Sequence, residues 1–185
     1  MKSLAIGIDL GCTNIKGVLI DHDGTIIEQL RQETNEQDDQ HWKNAVFYMI
    51  KNLKSKSSTA IKSIGLSAPG LANSDNTCIS FMPGRLPGLE NFNWTEFTGE
   101  RIFVLNDAHA ALMAEAAFGA ARGMQHVILL TLGTGVGGGI LINGQLYQGL
   151  SQMAGHLGHT TVDADSPDMD VTNMPGSVED AIGNL

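Results

Sequence analysis

Thiols are scarce in this chain. Cys12 and Cys78 are the two cysteines among 185 residues, and they form neither a C-x-x-C pair nor a disulfide framework. Both are expected to be reduced. Basic residues are also few, 11 Lys and Arg against 20 Asp and Glu, which leaves a formal charge of −9. Duplex binding rests on many cationic contacts to phosphate, so no nucleic-acid partner is expected, and any phosphate ligand must be held by local geometry. No apolar run approaches the roughly 20 residues of a spanning helix. Residues 4–10 are apolar but cut by Asp9, too short and too polar for a signal peptide. The expectation is a cytoplasmic protein without a membrane partner. The length suits one domain with a good core, or one small domain and part of a second.

What is present is a succession of short β-rich runs punctuated by glycine. Residues 4–10 and 15–21 are joined by Gly11-Cys12-Thr13-Asn14, and Asp23-Gly24 turns the chain into a third run, 25–30, which reads as an antiparallel meander. Residues 31–40 are polar and read as a solvated connection. Trp42, Val46, Met49, Ile50 and Leu53 then fall on one face at helical spacing. A strand is expected at 63–67, followed by a Gly-, Pro- and Asn-rich segment, 68–94, too long for a simple connection. Next come a strand at 101–105, a small-residue helix at 108–121 stopped by Gly123, and a strand at 126–132. A glycine-dense turn, 133–139, leads into a strand at 139–142, and Asn143-Gly144 closes a hairpin with 145–148. The recurrence of a β-turn-β unit suggests two related lobes, 1–122 and 123–185, the second without the elements needed to cover its sheet and therefore truncated.

Three clusters carry chemistry. In Asp9-Leu10-Gly11-Cys12-Thr13-Asn14, an Asp at a strand end suits the hydration shell of Mg²⁺, Gly11 lets backbone N–H groups approach phosphate, and Thr13, Asn14 and Lys16 add donors. A plain hairpin turn would favour the same residue types. In Gly133-Thr134-Gly135-Val136-Gly137-Gly138-Gly139, five glycines in seven residues weaken any strand, which calls for a reason such as phosphate approach. The spacing is neither a P-loop nor a dinucleotide fingerprint, since a strand follows. Asn106-Asp107 ends one strand and opens a helix. Asp107 there could take a proton from an attacking hydroxyl, or it could cap the helix.

The order of these motifs, followed by a Gly158-His159 pair, resembles the ROK (repressor, open reading frame, kinase) family of sugar kinases over essentially the whole chain. The resemblance implies an α/β fold of the actin-like ATPase, ribonuclease H-like type. It implies ATP-dependent phosphorylation of a hexose or N-acetylhexosamine, with ATP and Mg²⁺ as cofactors. Asp107 would be the general base. Asp9, Gly11 and Thr13 match the first phosphate motif, and Gly133, Thr134, Gly135 and Gly137 match the second. The sugar would lie between the lobes, lined by Ser67-Ala68-Pro69-Gly70, residues 83–89, Asn106, His156, His159 and Glu179. A homodimer is the family's common assembly.

The departures bear on substrate and metal. Family members carry E-x-G-H, where this chain reads His156-Leu157-Gly158-His159, and an imidazole cannot accept two hydrogen bonds as a carboxylate does. Many members hold zinc in C-x-C-G-x-x-G-C-x-E; with its Glu on Glu179, the cysteine positions become Asp170, Thr172 and Ser177. Zinc is expected to be absent, the turn being held by Pro175-Gly176 and its hydrogen bonds. Pro83-Gly84 stands where Pro-Asn is usual. The alternatives to a kinase are a sugar-sensing relative of the family's regulators without a DNA-binding domain, and a catalytically inactive sugar binder.

Overall fold

The computed structural model describes residues 3–35, 38–133, 135–170 and 174–183. The chain divides into two compact units, 1–107 and 108–185. By its packing, the helix that follows Asp107 groups with the second unit, whereas the sequence reading divides the lobes after it.

In the first unit, strands β1 (Leu4–Leu10), β2 (Asn14–Asp21) and β3 (Ile26–Glu33) form the expected antiparallel meander. Helix α1 (Asp39–Ser55) follows, then β4 (Ile61–Ala68), a two-stranded β5 (Leu71–Ala72) and β6 (Ile79–Phe81), a short α2 (Trp94–Thr98) and β7 (Ile102–Asn106). The main sheet has the order β3-β2-β1-β4-β7, with β1, β4 and β7 parallel. Strand β3 runs to Glu33, three residues beyond the expected 30, because Arg31, Gln32 and Glu33 pair through their backbones with Lys16, Ile15 and Asn14. An edge strand needs no apolar side chains for that pairing, so its polar end reads in sequence as a connection.

Alternation places Leu4, Ile6, Ile8 and Leu10 of β1 in the core, where α1 covers the sheet with Trp42, Val46, Met49, Ile50 and Leu53. Asp38 caps α1 by accepting the His41 N–H at 3.0 Å. The helix lies so close to β2 that a Cβ on Gly17 would stand 2.6 Å from Met49 Sδ. The long segment 68–94 is ordered by the β5–β6 pair and by Leu86, Leu89 and Trp94, all buried. The segment is thereby fastened to the core rather than left as loose chain.

The second unit contains most of α3 (Asp107–Phe118), β8 (Val127–Leu132), β9 (Val136–Ile142) and β10 (Gln145–Leu146), with sheet order β10-β9-β8. Helix α3 stops at Phe118 instead of 121 because the Glu115 carboxylate captures the Ala120 N–H and the Glu115 carbonyl takes the Ala121 N–H, in place of the regular helical pairing. Gly123 lies in the following turn with φ +80. Asn143 and Gly144 both have positive φ, as a two-residue hairpin turn of this hand requires. One face of β8, Ile128, Leu130 and Leu132, is exposed. Beyond the sheet lie a single 3-10 turn, Leu157–His159, and α4 (Val178–Ile182), closed by a capping box between Ser177 and Asp180. Among the described residues no helix is long and apolar enough to cross a membrane.

Candidate functional site

The turn between β1 and β2 is built around Asp9. Ser67 Oγ at the neighbouring end of β4 donates to Asp9 Oδ1 at 2.9 Å, and Lys16 Nζ lies 3.6 Å from Asp9 Oδ2. Both the carboxylate and the ammonium are about half exposed. A single carboxylate that is steered by one hydroxyl and open to water suits Mg²⁺, which keeps most of its hydration shell. The Gly11 N–H points inward and donates to the Asn14 carbonyl at 3.0 Å, so it closes the turn rather than facing a ligand. Asn14 Oδ1 accepts from Arg31 Nε at 3.0 Å, while Thr13 is exposed at the tip.

At the end of β7 the buried Asn106 donates from Nδ2 to the Gly70 carbonyl at 2.9 Å. That bond ties the β7 end to Pro69-Gly70, two of the expected sugar-lining residues. Gly70 has φ +96, and a Cβ there would strike the Phe81 carbonyl, so the tight path requires glycine. Asp107 is the first residue of α3 and is exposed. An exposed carboxylate thus stands at a strand end with a fixed amide beside it.

The glycine-rich segment divides into two parts. Gly133 and Gly135 form the turn, with the Gly133 N–H donating to the Gly135 carbonyl at 3.0 Å; Thr134, expected among the phosphate contacts, lies outside the described residues. Gly137, Gly138 and Gly139 belong to β9, which begins three residues earlier than the expected 139 and pairs them with Thr131, Leu130 and Leu129. Protein atoms fill the space beside each: Thr131 Oγ1 at 2.6 Å and Ala108 Cβ at 2.9 Å from a Cβ on Gly137, the Gly155 carbonyl beside Gly138, and Leu112 at 2.9 Å from one on Gly139. Close packing of α3 and the 155 loop therefore accounts for three of the five glycines. Glu179, half-buried on α4, reaches the same turn and accepts the Val136 N–H at 2.8 Å.

His156 and His109 form a pair that sequence reasoning saw only in part. His109, a single imidazole in a small-residue helix, is buried, with Nε2 3.0 Å from the Ala154 carbonyl and its ring edge-on to His156 at 5.4 Å. Burial lowers the His156 pKa from the ordinary 6.5, and the neighbouring His109 and His159 add to the effect. Unfolded, this imidazole protonates near 6.5, whereas folded it resists. Its contribution to stability is present above that pH and lost as pH falls through the lowered folded value. Thermal unfolding at about pH 7.5 and 5.5 should show a loss on acidification that shrinks in His156→Gln; an equal loss in the variant would refute the assignment.

His159 Nδ1 lies 2.9 Å from Asp170 Oδ2, a residue that sequence reasoning placed only by alignment with a missing cysteine. Ser177 Oγ is engaged by Asp180, and Thr172 lies outside the described residues. One imidazole, one carboxylate and hydroxyls are not the thiolate-rich set a structural zinc takes, so the residues present do not fit that metal. The turn holds Gly176 as expected, through N–H donation to the Asp168 carbonyl at 3.0 Å.

A β3-β2-β1-β4-β7 sheet with a glycine turn after β1 and a carboxylate at the β7–α3 junction, and a β10-β9-β8 sheet with its own glycine turn, define a mixed α/β protein of the actin-like ATPase fold. The ROK family profile matches residues 5–176, and the chain belongs to the ROK family. It is 33% identical over 172 residues to a glucokinase of Thermotoga maritima, covering 90% of this chain and 53% of that one. It is 33% identical over 175 residues to a xylose repressor of Bacillus spizizenii, covering 88% and 44%. Among solved structures, it matches the ROK hexokinase of Thermus thermophilus with a TM-score of 0.81 at 28% identity, covering 95% of this chain and 59% of that one. A ROK family glucokinase of Streptomyces griseus, in complex with glucose and AMPPNP, matches with a TM-score of 0.80 at 28% identity, covering 96% and 56%. The chain thus spans about half the length of the curated relatives it matches.

Proposed function

We propose that the protein transfers the γ-phosphoryl group of ATP to a hydroxyl of a hexose or N-acetylhexosamine, with Asp107 as general base. The observation that carries this reading is the exposed Asp107 carboxylate at the junction of β7 and α3, beside an Asn106 amide pinned to the Gly70 carbonyl. Asp107 takes the proton of the attacking hydroxyl as its oxygen bonds to phosphorus and the bond to the ADP oxygen breaks. Little covalent chemistry is asked of the protein in such a transfer, so positioning and charge stabilisation carry the rate. Asp9 would hold Mg²⁺ through its water shell, and the metal would neutralise charge on the phosphates. Thr13, Lys16 and the turn from Gly133 to Gly135 would supply donors to the phosphate oxygens. Pro69, Gly70, Asn106, His156, His159 and Glu179 would form the sugar site, with His156 in place of a carboxylate setting which hydroxyl pattern is accepted. The glucokinase and β-glucoside kinase relatives support this reading.

A sugar-sensing role is the second reading, favoured by identity to the xylose repressors. The two separate in one assay, with ATP, Mg²⁺ and a panel of hexoses and N-acetylhexosamines, following ADP. Sugar-dependent ADP release is expected. A sugar that raises the melting temperature while no sugar elicits ADP would replace the kinase reading with the sensing one.

A further inference from the structure

We infer that Asp170 and His159 form a metal-free clip that positions Glu179 on the glycine turn. The Asp170 side chain is fully enclosed, and each of its oxygens has a partner: Oδ2 lies 2.9 Å from His159 Nδ1, and Oδ1 accepts the Met174 N–H at 3.0 Å. The Asp170 N–H in turn donates to the Met174 carbonyl at 3.1 Å. The carboxylate therefore closes its own loop and fastens it to the 3-10 turn that ends in His159.

Both ends of this loop arrive at one residue. On one side, Gly158 abuts the Val136 carbonyl, where a Cβ would not fit. On the other, the Thr161–Ser177 bridge and the Val178 N–H donating to the Thr160 carbonyl at 2.9 Å lead into α4, where Glu179 Oε2 accepts the Val136 N–H at 2.8 Å. The intervening elements are a three-residue turn and a five-residue helix. Such short pieces bury little apolar surface and stay in place through cross-links. An exposed carboxylate–imidazole contact would contribute little, but an enclosed one leaves a stranded polar group when broken. The fastening is a hydrogen-bonded pair, which makes Asp170 a positioning residue acting through Glu179.

The test is amide hydrogen exchange on the intact chain, read at Val136 and across 160–178. Asp170→Asn should speed exchange at both by roughly tenfold or more, while the amides of β1 and β4 stay as in the parent. Glu179→Gln should speed Val136 alone. At Val136 the double variant should match the larger single effect, because both substitutions release the same contact. EDTA should leave the parent unchanged. Unaltered exchange at Val136 in Asp170→Asn, additive effects in the double variant, or stoichiometric zinc whose removal loosens 160–178 would each overturn the inference. Should Asp170→Asn fail to fold, His159→Gln gives the same reading from the other side of the pair. No readout depends on turnover, so the outcome is independent of whether the protein proves to be a kinase.

Discussion

Asp107→Asn should lower sugar-dependent ADP release by about 10²- to 10⁴-fold, the usual contribution of a positioned general base. The substitution keeps size and hydrogen-bonding shape but removes the lone pair that takes the proton. Asp107 is also the first residue of α3, where a carboxylate interacts favourably with the helix dipole. Asn replaces most of that local role, and the lost charge costs only about 0.3–1 kcal/mol at an exposed helix start. A large fall in turnover with a nearly unchanged melting temperature is therefore the signature of the base. Turnover within about threefold of the parent would reduce Asp107 to a helix-starting residue.

Gly138→Ala should destabilise the second unit by about 1–3 kcal/mol, towards the upper end, because the added methyl meets backbone on two sides, the carbonyls of Gly155 and Leu129. Gly133→Ala should leave stability within about 0.5 kcal/mol, since nothing lies within 4 Å of a Cβ there. The pair separates two reasons for glycine that look identical in sequence. If Gly133 serves phosphate approach, its alanine variant should fold normally and still bind nucleotide more weakly in a calorimetric titration. Normal stability of Gly138→Ala in chemical unfolding would contradict the close packing beside β9.

Sequence reasoning recovered the elements whose signal is local. The apolar alternation of Leu4, Ile6, Ile8 and Leu10 and the helical spacing of Trp42, Val46, Met49, Ile50 and Leu53 translate directly into buried faces. The Asn143-Gly144 turn is equally local, because its positive φ values favour those residue types. Element ends were less legible. Strand β3 continues through Arg31, Gln32 and Glu33 by backbone pairing that side-chain polarity does not announce. Helix α3 ends early through a carboxylate, Glu115, whose capture of Ala120 competes with the small-residue helical preference that runs on to Ala121.

The site shows the same division. Asp9, Asn106-Asp107 and the glycine turn announce themselves by residue type and order, because tight turns and strand ends draw on few side chains. The sequence by itself thus determined the ROK family, the α/β succession and the candidate chemical groups. Only the tertiary structure decided that Ser67 steers Asp9, that three glycines accommodate packing on β9, and that His109 stacks edge-on to His156. It alone placed Asp170 against His159, 11 residues away, and Glu179 against Val136, 43 residues away. The physical reason is reach: periodicity and turn propensity act over a few neighbouring residues, whereas a hydrogen bond between distant ones forms only after the chain has folded and enclosed both partners.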